Sequence, residues 1–578
     1  MYKFLFFIVF FVVVSVQAQT PLIKRVSPSK TQNTTTQPQQ FITGTVCNGC
    51  ALTINKEPVH VWPTGAFATA IQLNKGDNSF DLTVTNSKGI RETQQIFYTL
   101  LPEISAKETT KPTIEYWSIF PQGDLMLQAG DRIQMTVKTL PGCTVQLENG
   151  FELQEIPVTD SIGVKGIYKA EYTVGEKDHL LTASPLPLKL CVTTSDDQFI
   201  EAQTRFRYSK MPHQPILLQT TGKMPYLLVG LGEDRLGGTK IGYLDSLIRL
   251  KAIGKTGDKY CVLLSEKRKA YIEEKHVQTV LNAPFTPGSI TGNMRVWGDS
   301  SFDYTSLVLT TRLPYQSFQE LNPSKIIIDI FGASGNTNWI TQLQTAREIE
   351  SVQWKQTETD VFRIEISLKH KQHWGYTVYY QGNTLMIRVK RPPQANTLKQ
   401  LTIGIDAGHG GSNKGAFGLT GVMEKEMTLL LAKELEEILL ADGIKVIMSR
   451  TNDTTFDNHD RYLFFKEKNP DLLISLHLNS SADPINIRGT GTYYKHVGFK
   501  SLAQAVLKEI TNIGLPENGL VGNFNFLLNG HTEFPNVLIE TLYLSHPEEE
   551  YLILQPDFRK KIVLQIKKGL EKWLEACD

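Results

Sequence analysis

The chain has 578 residues, which is too long for a single hydrophobic core and predicts several domains. Hydrophobic residues make up 41% of the chain and charged residues 21%, as in ordinary globular proteins. The net charge of +1 at pH 7 gives no electrostatic basis for binding nucleic acid or for strong adhesion to an anionic surface.

The N-terminus has the features of an export signal. Lys3 provides a positive charge ahead of the apolar run 4–16, and Val16-Gln17-Ala18 offers small residues for cleavage. The run is shorter than the roughly 20 residues that a membrane-spanning helix needs, so residues 1–18 are predicted to be a cleaved signal peptide. The mature protein is therefore expected to be exported to the periplasm or cell envelope, without stable insertion in the membrane.

The next part of the chain predicts β structure. Residues 19–40 are rich in Ser, Thr, Gln and Pro and are expected to form a flexible leader. Short alternating strands predict one small sandwich over residues 41–100, similar to bacterial immunoglobulin-like domains, and a second β-sandwich over residues 113–210. Cys47 and Cys50 flank an Asn-Gly hairpin signal, which leaves either a disulfide across the turn or two unpaired thiols.

Two further β units are predicted before the last domain. Residues 213–281 have short strands and many turns, and they resemble bacterial SH3-like domains. The glycine-rich stretch 230–238 is a poor phosphate loop, because no periodic helix and no Gly-Lys-Ser/Thr follow it. Residues 284–393 predict another β unit, and the polar segment 394–400 is expected to be a hinge.

From residue 401 to residue 578 the pattern changes to an alternation of strands and helices. Strands are predicted at residues 401–406, 444–448, 472–476, 490–494, 524–528 and 536–542, and helices at residues 425–440, 458–467, 499–512 and 560–574. Such alternation predicts a mostly parallel sheet with helices on both faces. The predicted fold class is a multidomain protein in which N-terminal all-β modules precede a C-terminal α/β catalytic domain.

Four candidate functional side chains lie at the ends of elements in this last domain. His409 follows an apolar strand among glycines, Glu424 begins a helical pattern, and His477 and Glu540 end two further apolar strands. Two histidines and one carboxylate are a known catalytic zinc set, with the fourth position left for water. A carboxylate outside the set would serve as general base and acid. We therefore expect these side chains to converge at one edge of the sheet.

Each of these residues also has a purely structural interpretation. His409 alone would more often be a packed turn residue, and Glu424 alone would more often stabilise the exposed amides of a helix start. Asp406 either orients an imidazole or holds a turn, and Arg461 is expected to form a structural ion pair. Three other histidines are expected to be ordinary loop residues: His496, His531 and His546.

A series of motifs in the last domain follows the order and spacing of a known family. They are Ile-Asp-Ala-Gly-His-Gly-Gly at 405–411, Glu-Lys at 424–425, Ser-Arg-Thr-Asn-Asp at 449–453, Arg461, Ile-Ser-Leu-His-Leu-Asn at 474–479, Pro-Asn-Val-Leu-Ile-Glu at 535–540 and Ser-His-Pro-Glu-Glu at 545–549. On these motifs, residues 401–578 resemble the zinc-dependent N-acetylmuramoyl-L-alanine amidases of the Amidase_3 family. Residues 284–393 more loosely resemble the AMIN domain that accompanies such enzymes.

The resemblance implies a reaction and a set of residue roles. One Zn²⁺ per chain would be bound by His409, Glu424 and His477, and Glu540 would be the catalytic carboxylate. The implied reaction is hydrolysis of the amide bond between N-acetylmuramic acid and L-alanine in peptidoglycan, for cell-wall remodelling or daughter-cell separation. Peptidoglycan is thus the implied partner, and envelope or division partners would be expected to contact the β domains.

Two other functions are compatible with parts of the sequence. One is a non-catalytic envelope-binding protein with a degenerate amidase domain, and the other is a zinc carboxypeptidase. The segment 480–487 is too short for the autoinhibitory helix that some relatives carry after the second histidine. An open groove is therefore expected, unless the N-terminal domains cover it.

Overall fold

The structure, a computed structural model, describes residues 21–101, 109–158, 164–211, 216–280 and 288–577. The predicted signal peptide, residues 1–18, lies outside the described residues. Strand-rich units come first, and a domain that combines helices with a sheet follows them. This order of units confirms the multidomain organisation predicted from the sequence.

The first unit consists of two sheets around a buried apolar core. Its strands are β1 (Ile23–Ser27), β2 (Gln32–Thr35), β3 (Gln39–Val46), β4 (Ala51–Ile54), β5 (Glu57–Val59), β6 (Ala66–Gln72), β7 (Gly76–Thr85) and β8 (Arg91–Leu100). The strand orders are β1-β3-β6 and β2-β8-β7-β4-β5. Cys47 and Cys50 form a disulfide across their turn, which decides between the two interpretations left open above.

The expected flexible leader is instead part of this first unit. Residues 19–40 contain β1, β2 and the start of β3, and β1 pairs antiparallel with β3 from Ile23 opposite Val46. Ile23 is buried in the core, whereas the rest of β1 and β2 is exposed or half-buried. Polar composition misled the prediction, because edge strands need only a few apolar side chains to attach to a sheet.

The next two predicted units share a continuous sheet. The first has β9 (Tyr116–Phe120), β10 (Leu125–Leu127), β11 (Arg132–Lys138), β12 (Thr144–Leu147), β13 (Glu152–Glu155), β14 (Ile167–Thr173), β15 (Leu186–Thr193) and β16 (Phe199–Lys210). The second has β17 (Ile216–Thr220), β18 (Tyr226–Asp234), β19 (Gly237–Tyr243), β20 (Arg249–Thr256), β21 (Lys259–Ser265), β22 (Arg268–Glu273), a 3-10 turn (Glu274–His276) and β23 (Val277–Thr279). β10 pairs with both β16 and β20, so a 15-stranded sheet crosses the expected boundary between residues 210 and 213.

The unit before the last domain is a pair of sheets. Its strands are β24 (Ser289–Ile290), β25 (Met294–Gly298), β26 (Phe302–Val308), β27 (Tyr315–Leu321), β28 (Ser324–Phe331), β29 (Ala333–Ser334), β30 (Ile340–Gln342), β31 (Ile349–Glu358), β32 (Val361–Leu368), β33 (Tyr376–Gln381) and β34 (Thr384–Lys390). The two main sheets have the orders β30-β25-β26-β34-β33 and β27-β28-β32-β31. Their buried side chains form one cluster with those of residues 216–280, so the two units share a hydrophobic core.

The last domain has a six-stranded mixed sheet and five α-helices among the described residues. The strands are β35 (Thr402–Ala407), β36 (Lys445–Met448), β37 (Leu472–Asn479), β38 (Thr490–Tyr493), β39 (Glu517–Val521) and β40 (Asn536–Tyr543). The helices are α1 (Glu424–Ala441), α2 (Asn458–Lys468), α3 (Lys500–Thr511), α4 (Pro547–Leu554) and α5 (Pro556–Glu575), with 3-10 turns at Leu398–Gln400, Val497–Phe499 and Leu528–Gly530.

The sheet order is β36-β35-β37-β40-β38-β39, and every pair is parallel except β38 with β40. Apolar residues of α1, α3 and α5 cluster with one face of the central strands. On the other face, Phe465 of α2 packs with Leu473 and Phe534. Because helices cover both faces, the architecture predicted for this domain is confirmed.

Two local predictions in this domain are wrong. The strand expected at residues 524–528 is absent from the structure, and the edge strand is β39, at Glu517–Val521. Phe524 and Phe526 alternate as in a strand, but their rings pack against Tyr493 and His477 instead of completing a ladder. Helix α4 was not predicted from the sequence. Its eight residues, Pro547–Leu554, are too few to show a clear helical pattern before α5 begins at Pro556.

The segment expected to be a hinge is anchored to the last domain. Leu398 is 5% exposed and belongs to its core, and the Lys390 ammonium lies 2.8 Å from an Asp471 carboxylate oxygen. Trp374 also enters this core, where its ring centroid lies 5.3 Å from that of Trp573. The β unit and the last domain therefore pack as partners, because apolar side chains on both sides of the linker are buried together.

Within the residues that the structure describes, no helix combines the length and the apolar character needed to cross a lipid bilayer.

Replacing Trp374 with alanine is expected to lower the stability of the last domain by about 3–5 kcal/mol, the usual loss for removing a buried aromatic side chain. The matched control is Trp339→Ala, because Trp339 is 62% exposed. The measurement is chemical denaturation followed through the helical circular dichroism signal, since all α-helices of the described residues lie in the last domain. Equal midpoints for the two variants would contradict the packing role of Trp374.

Candidate active site

The candidate site is built where strands β35 and β37 end and helix α1 begins. His409 follows β35 with a φ of 61°, a left-handed conformation that is uncommon outside glycine. A Cβ on Gly408 would come within 2.4 Å of the His477 ring, and one on Gly415 would come within 2.4 Å of the Glu424 carboxylate. Glycine is required at both positions because a side chain would fill the space that the imidazole and the carboxylate occupy.

Glu424 lies between the two histidines. Its Oε1 atom is 3.1 Å from His409 Nε2 and 3.1 Å from His477 Nδ1. The Leu478 amide donates to Oε1 at 3.0 Å, and the Ala416 amide donates to Oε2 at 2.8 Å. Burial by itself would raise the pKa of Glu424, but the contacts with His409 and His477 outweigh it and hold that pKa well below its usual range. The carboxylate is therefore ionised at neutral pH.

The spacing of these three side chains fits a metal ion. Ligands that each lie about 2.0–2.1 Å from a tetrahedral metal are about 3.3 Å from one another, close to the 3.1 Å separations here. His477 Nε2 is buried without a hydrogen-bond partner, which would be costly in a purely structural histidine. His409, Glu424 and His477 thus form a mixed nitrogen and oxygen set able to hold a divalent cation.

Glu540 lies beside this set on the neighbouring strand. In the pairing of β37 with β40, Glu540 is opposite His477. Its Oε2 atom is buried and has no hydrogen-bond partner. Burial raises the pKa of Glu540 to about 7, although the positive charge of His477 acts in the opposite direction. A carboxyl group with this pKa can both accept and donate a proton near neutral pH.

Asn413, which the sequence did not single out, orients the first histidine. The His409 Nδ1 atom lies 2.9 Å from Asn413 Oδ1, so a proton on Nδ1 leaves the Nε2 lone pair directed toward Glu424. An asparagine four residues after a glycine-flanked histidine is too common in loops to have been recognised as functional.

Asp406 and Arg461 form the buried ion pair that supports the strand end. Arg461 Nη1 donates to Asp406 Oδ1 at 2.5 Å and to the Ala407 carbonyl at 2.7 Å. Ser475 donates to Asp406 Oδ2 at 2.7 Å. Asp406 thereby holds the turn and does not contact the His409 imidazole, whereas Arg461 forms the ion pair expected of it.

Two of the histidines expected in ordinary loops have defined structural positions. The ring of His531 is fully buried, stacks on Tyr462 with centroids 3.8 Å apart and contacts Glu533 at 3.1 Å. His546 caps helix α4 by accepting a hydrogen bond from the Glu549 amide. Neither residue belongs to the candidate metal set, so both support the fold around the site.

The groove beside the site is bordered by segments of both the catalytic domain and the N-terminal region. The segment between β37 and β38 contains turns and no helix, as its length predicted. However, the hairpin formed by β18 and β19 lies beside the site, where Asn525 Nδ2 donates to the Gly238 carbonyl at 2.9 Å. Part of the N-terminal region therefore borders the groove.

Comparisons with known proteins identify the last two units. The model of the N-acetylmuramoyl-L-alanine amidase family Amidase_3 matches residues 403–572, and that of the AMIN domain matches residues 293–389. The N-acetylmuramoyl-L-alanine amidase AmiC of Neisseria meningitidis is 24% identical over 372 residues, which are 49% of this chain and 89% of that protein. The probable cell wall amidase LytH of Staphylococcus epidermidis is 34% identical over 215 residues, which are 37% of this chain and 72% of that protein.

The chain belongs to the N-acetylmuramoyl-L-alanine amidase family. Among solved structures, an N-acetylmuramoyl-L-alanine amidase from Clostridium difficile 630 is 32% identical, and the TM-score is 0.30. The match covers 31% of this chain and 98% of that chain. This amidase hydrolyses the amide bond of peptidoglycan between N-acetylmuramic acid and L-alanine. The family found in these comparisons favours that reaction over the zinc carboxypeptidase considered above.

Replacing Asp406 with asparagine is expected to destabilise the last domain of this amidase by about 3–5 kcal/mol, because the Arg461 charge would stay buried without its partner. Asp460→Asn is the matched control, since the Asp460 side chain is 61% exposed. Denaturation followed by helical circular dichroism measures both variants. A loss below about 1 kcal/mol for Asp406→Asn, the value typical of an exposed pair, would contradict the supporting role of this ion pair.

Proposed function

We propose that the chain is a zinc-dependent amidase in which His409, Glu424 and His477 bind one zinc ion and Glu540 is the proton-transfer group. The observation that carries the proposal is the position of Glu424 Oε1, 3.1 Å from a nitrogen of each histidine. When bound, zinc supplies a Lewis acid that acidifies water and polarises the scissile carbonyl.

The roles of the protein groups follow from their positions. Glu540 takes a proton from the attacking water, because its carboxylate lies on the strand next to His477 and has a pKa of about 7. As the C–N bond breaks, Glu540 gives that proton to the nitrogen, so that L-alanine departs as a neutral amine. Asn413 fixes the tautomer of His409, and the buried Asp406–Arg461 pair holds the backbone that carries it.

The location and partners are part of the same proposal. The predicted signal peptide at residues 1–18, the AMIN domain and the amidase relatives support export to the periplasm or cell envelope. Peptidoglycan is the substrate, and the β units before residue 393 hold the enzyme on the wall or bind envelope or division partners. Two resemblances remain predictions: that of residues 41–100 to immunoglobulin-like domains and that of residues 213–281 to SH3-like domains.

His477→Ala is expected to remove nearly all zinc from the purified protein, because one of the three protein ligands is lost. The control is His459→Ala, since His459 is exposed beside Asp457 and Asp460, a surface cluster that could also attract a metal. Elemental analysis of the dialysed proteins measures zinc per chain. Full retention in His477→Ala, or loss in the control, would contradict the assigned ligand set.

Glu540→Gln is expected to keep zinc and the fold but to lose activity by about 100-fold or more, the usual scale for a general acid–base group. Glu517→Gln, on the exposed edge strand β39, is the matched control. Purified sacculi are digested, and new N-terminal alanine ends and free muramic acid carboxyl ends are identified by mass spectrometry. Turnover by Glu540→Gln within a few-fold of the unaltered protein would show that another group moves the proton.

A further inference from the structure

A cavity lies between the N-terminal region and the catalytic domain, next to the candidate site. It lies between the tip of the β18–β19 hairpin and the loop 522–525, and its volume is about 470 Å³. The Asn525 side chain joins the two walls by donating to the Gly238 carbonyl at 2.9 Å. The cavity is therefore part of the packed structure and is formed by two domains together.

Three positively charged side chains line this cavity: Arg235, Lys240 and Lys495. In the described part of the chain, none of the three has an ion-pair partner. Lys495 donates to Asn525 Oδ1 at 3.1 Å, and the Lys240 ammonium lies 5.2 Å from the centroid of the Tyr226 ring. The Arg235 side chain is exposed at the turn between β18 and β19.

The one carboxylate in the cavity wall, that of Asp234, holds the hairpin turn, and its charge also acts on Lys240. Asp234 Oδ1 accepts the Leu236 amide at 2.7 Å and so holds the turn that presents Arg235. Burial, together with the nearby charge of Lys240, lowers the pKa of Lys495 to about 8. Like charges held this close favour an anionic ligand, because a carboxylate would relieve their repulsion and accept charge-assisted hydrogen bonds.

A row of aromatic rings connects the cavity with the candidate metal site. The ring centroid of Phe524, in the cavity wall, lies 4.7 Å from that of Tyr493 and 6.3 Å from that of Phe526. Phe526 in turn packs edge-on against His477, with centroids 5.6 Å apart. The positive charge of Arg235 also acts to lower the pKa of Glu540, although burial outweighs it. A ligand in the cavity would thus continue directly into the groove.

We propose that this cavity is a substrate subsite that binds a carboxylate of the stem peptide, with Arg235 as its main contact. This inference rests on the proposed function. In the substrate, the lactyl carboxyl of muramic acid is consumed in the scissile amide, so the nearest free carboxylates belong to the peptide. The residue after L-alanine is a glutamic acid whose α-carboxyl is either free or amidated. Arg235 would therefore make the enzyme prefer the free acid.

The test compares two soluble N-acetylmuramoyl peptides that differ only in whether this α-carboxyl is free or amidated. The full-length protein and its Arg235→Ala and Arg235→Lys variants are assayed on both. The matched control is Lys267→Ala, because Lys267 is exposed at the turn of the neighbouring β21–β22 hairpin. Binding of the released peptides, acid and amide, is measured by calorimetry, which does not depend on turnover.

We expect Arg235→Ala to raise KM for the acid substrate by about tenfold or more, the loss expected for a charge-assisted hydrogen bond. Its KM for the amidated substrate should change much less, so that the preference for the acid over the amide, measured as the ratio of the two kcat/KM values, falls by about tenfold. Arg235→Lys should keep part of the preference, since lysine retains the charge but not the planar fork of donors. Lys267→Ala should behave as the unaltered protein does.

The outcomes separate this inference from the function on which it rests. If the unaltered protein binds the acid peptide more tightly than the amide but cuts neither substrate, the subsite stands and the proposed function fails. If Arg235→Ala and Lys267→Ala give the same constants on both substrates, the subsite is wrong. A higher rate for Arg235→Ala on both substrates would also overturn it, because the hairpin would then obstruct the groove.

Discussion

The candidate site depends on the position of one carboxylate between two imidazoles. Glu424 begins helix α1, whereas His409 and His477 come from the ends of two parallel strands, so no local segment could bring these groups together. Their approach to 3.1 Å is possible only where glycines leave the space open. Arg450 and Arg461 hold the strand end in turn, because both donate to the buried Ala407 carbonyl, and Asp406 accepts a hydrogen bond from Arg461.

Much of this domain could be predicted from sequence because its signals are strong and local. The apolar runs that end at His409, His477 and Glu540 are long enough to identify strands, and the alternation with helices predicts a parallel sheet. The order and spacing of the motifs then identify His409, Glu424 and His477, which the structure brings together. The strand predicted at residues 524–528 failed because aromatic rings alternating along a chain can pack around a site without forming a ladder.

Contacts between distant segments could not be predicted in the same way. The composition of residues 19–40 is that of a linker, yet β1 pairs with β3 and buries Ile23 in the first core. Leu398 lies in the polar linker and Trp374 lies just before β33, and the burial of both depends on a surface supplied by the catalytic domain. The β18–β19 hairpin is a similar case, since its glycine-rich sequence does not indicate that it borders the groove.

The central claim is that two imidazoles and a carboxylate bind zinc in the full chain. X-ray absorption spectroscopy at the zinc edge of the purified protein tests it most directly, because it counts the ligand types around the metal. We expect two imidazole nitrogens and oxygen ligands at about 2.0–2.2 Å, with no sulfur. A sulfur ligand at about 2.3 Å, or a zinc ion without imidazole ligands, would place the metal elsewhere and contradict this account.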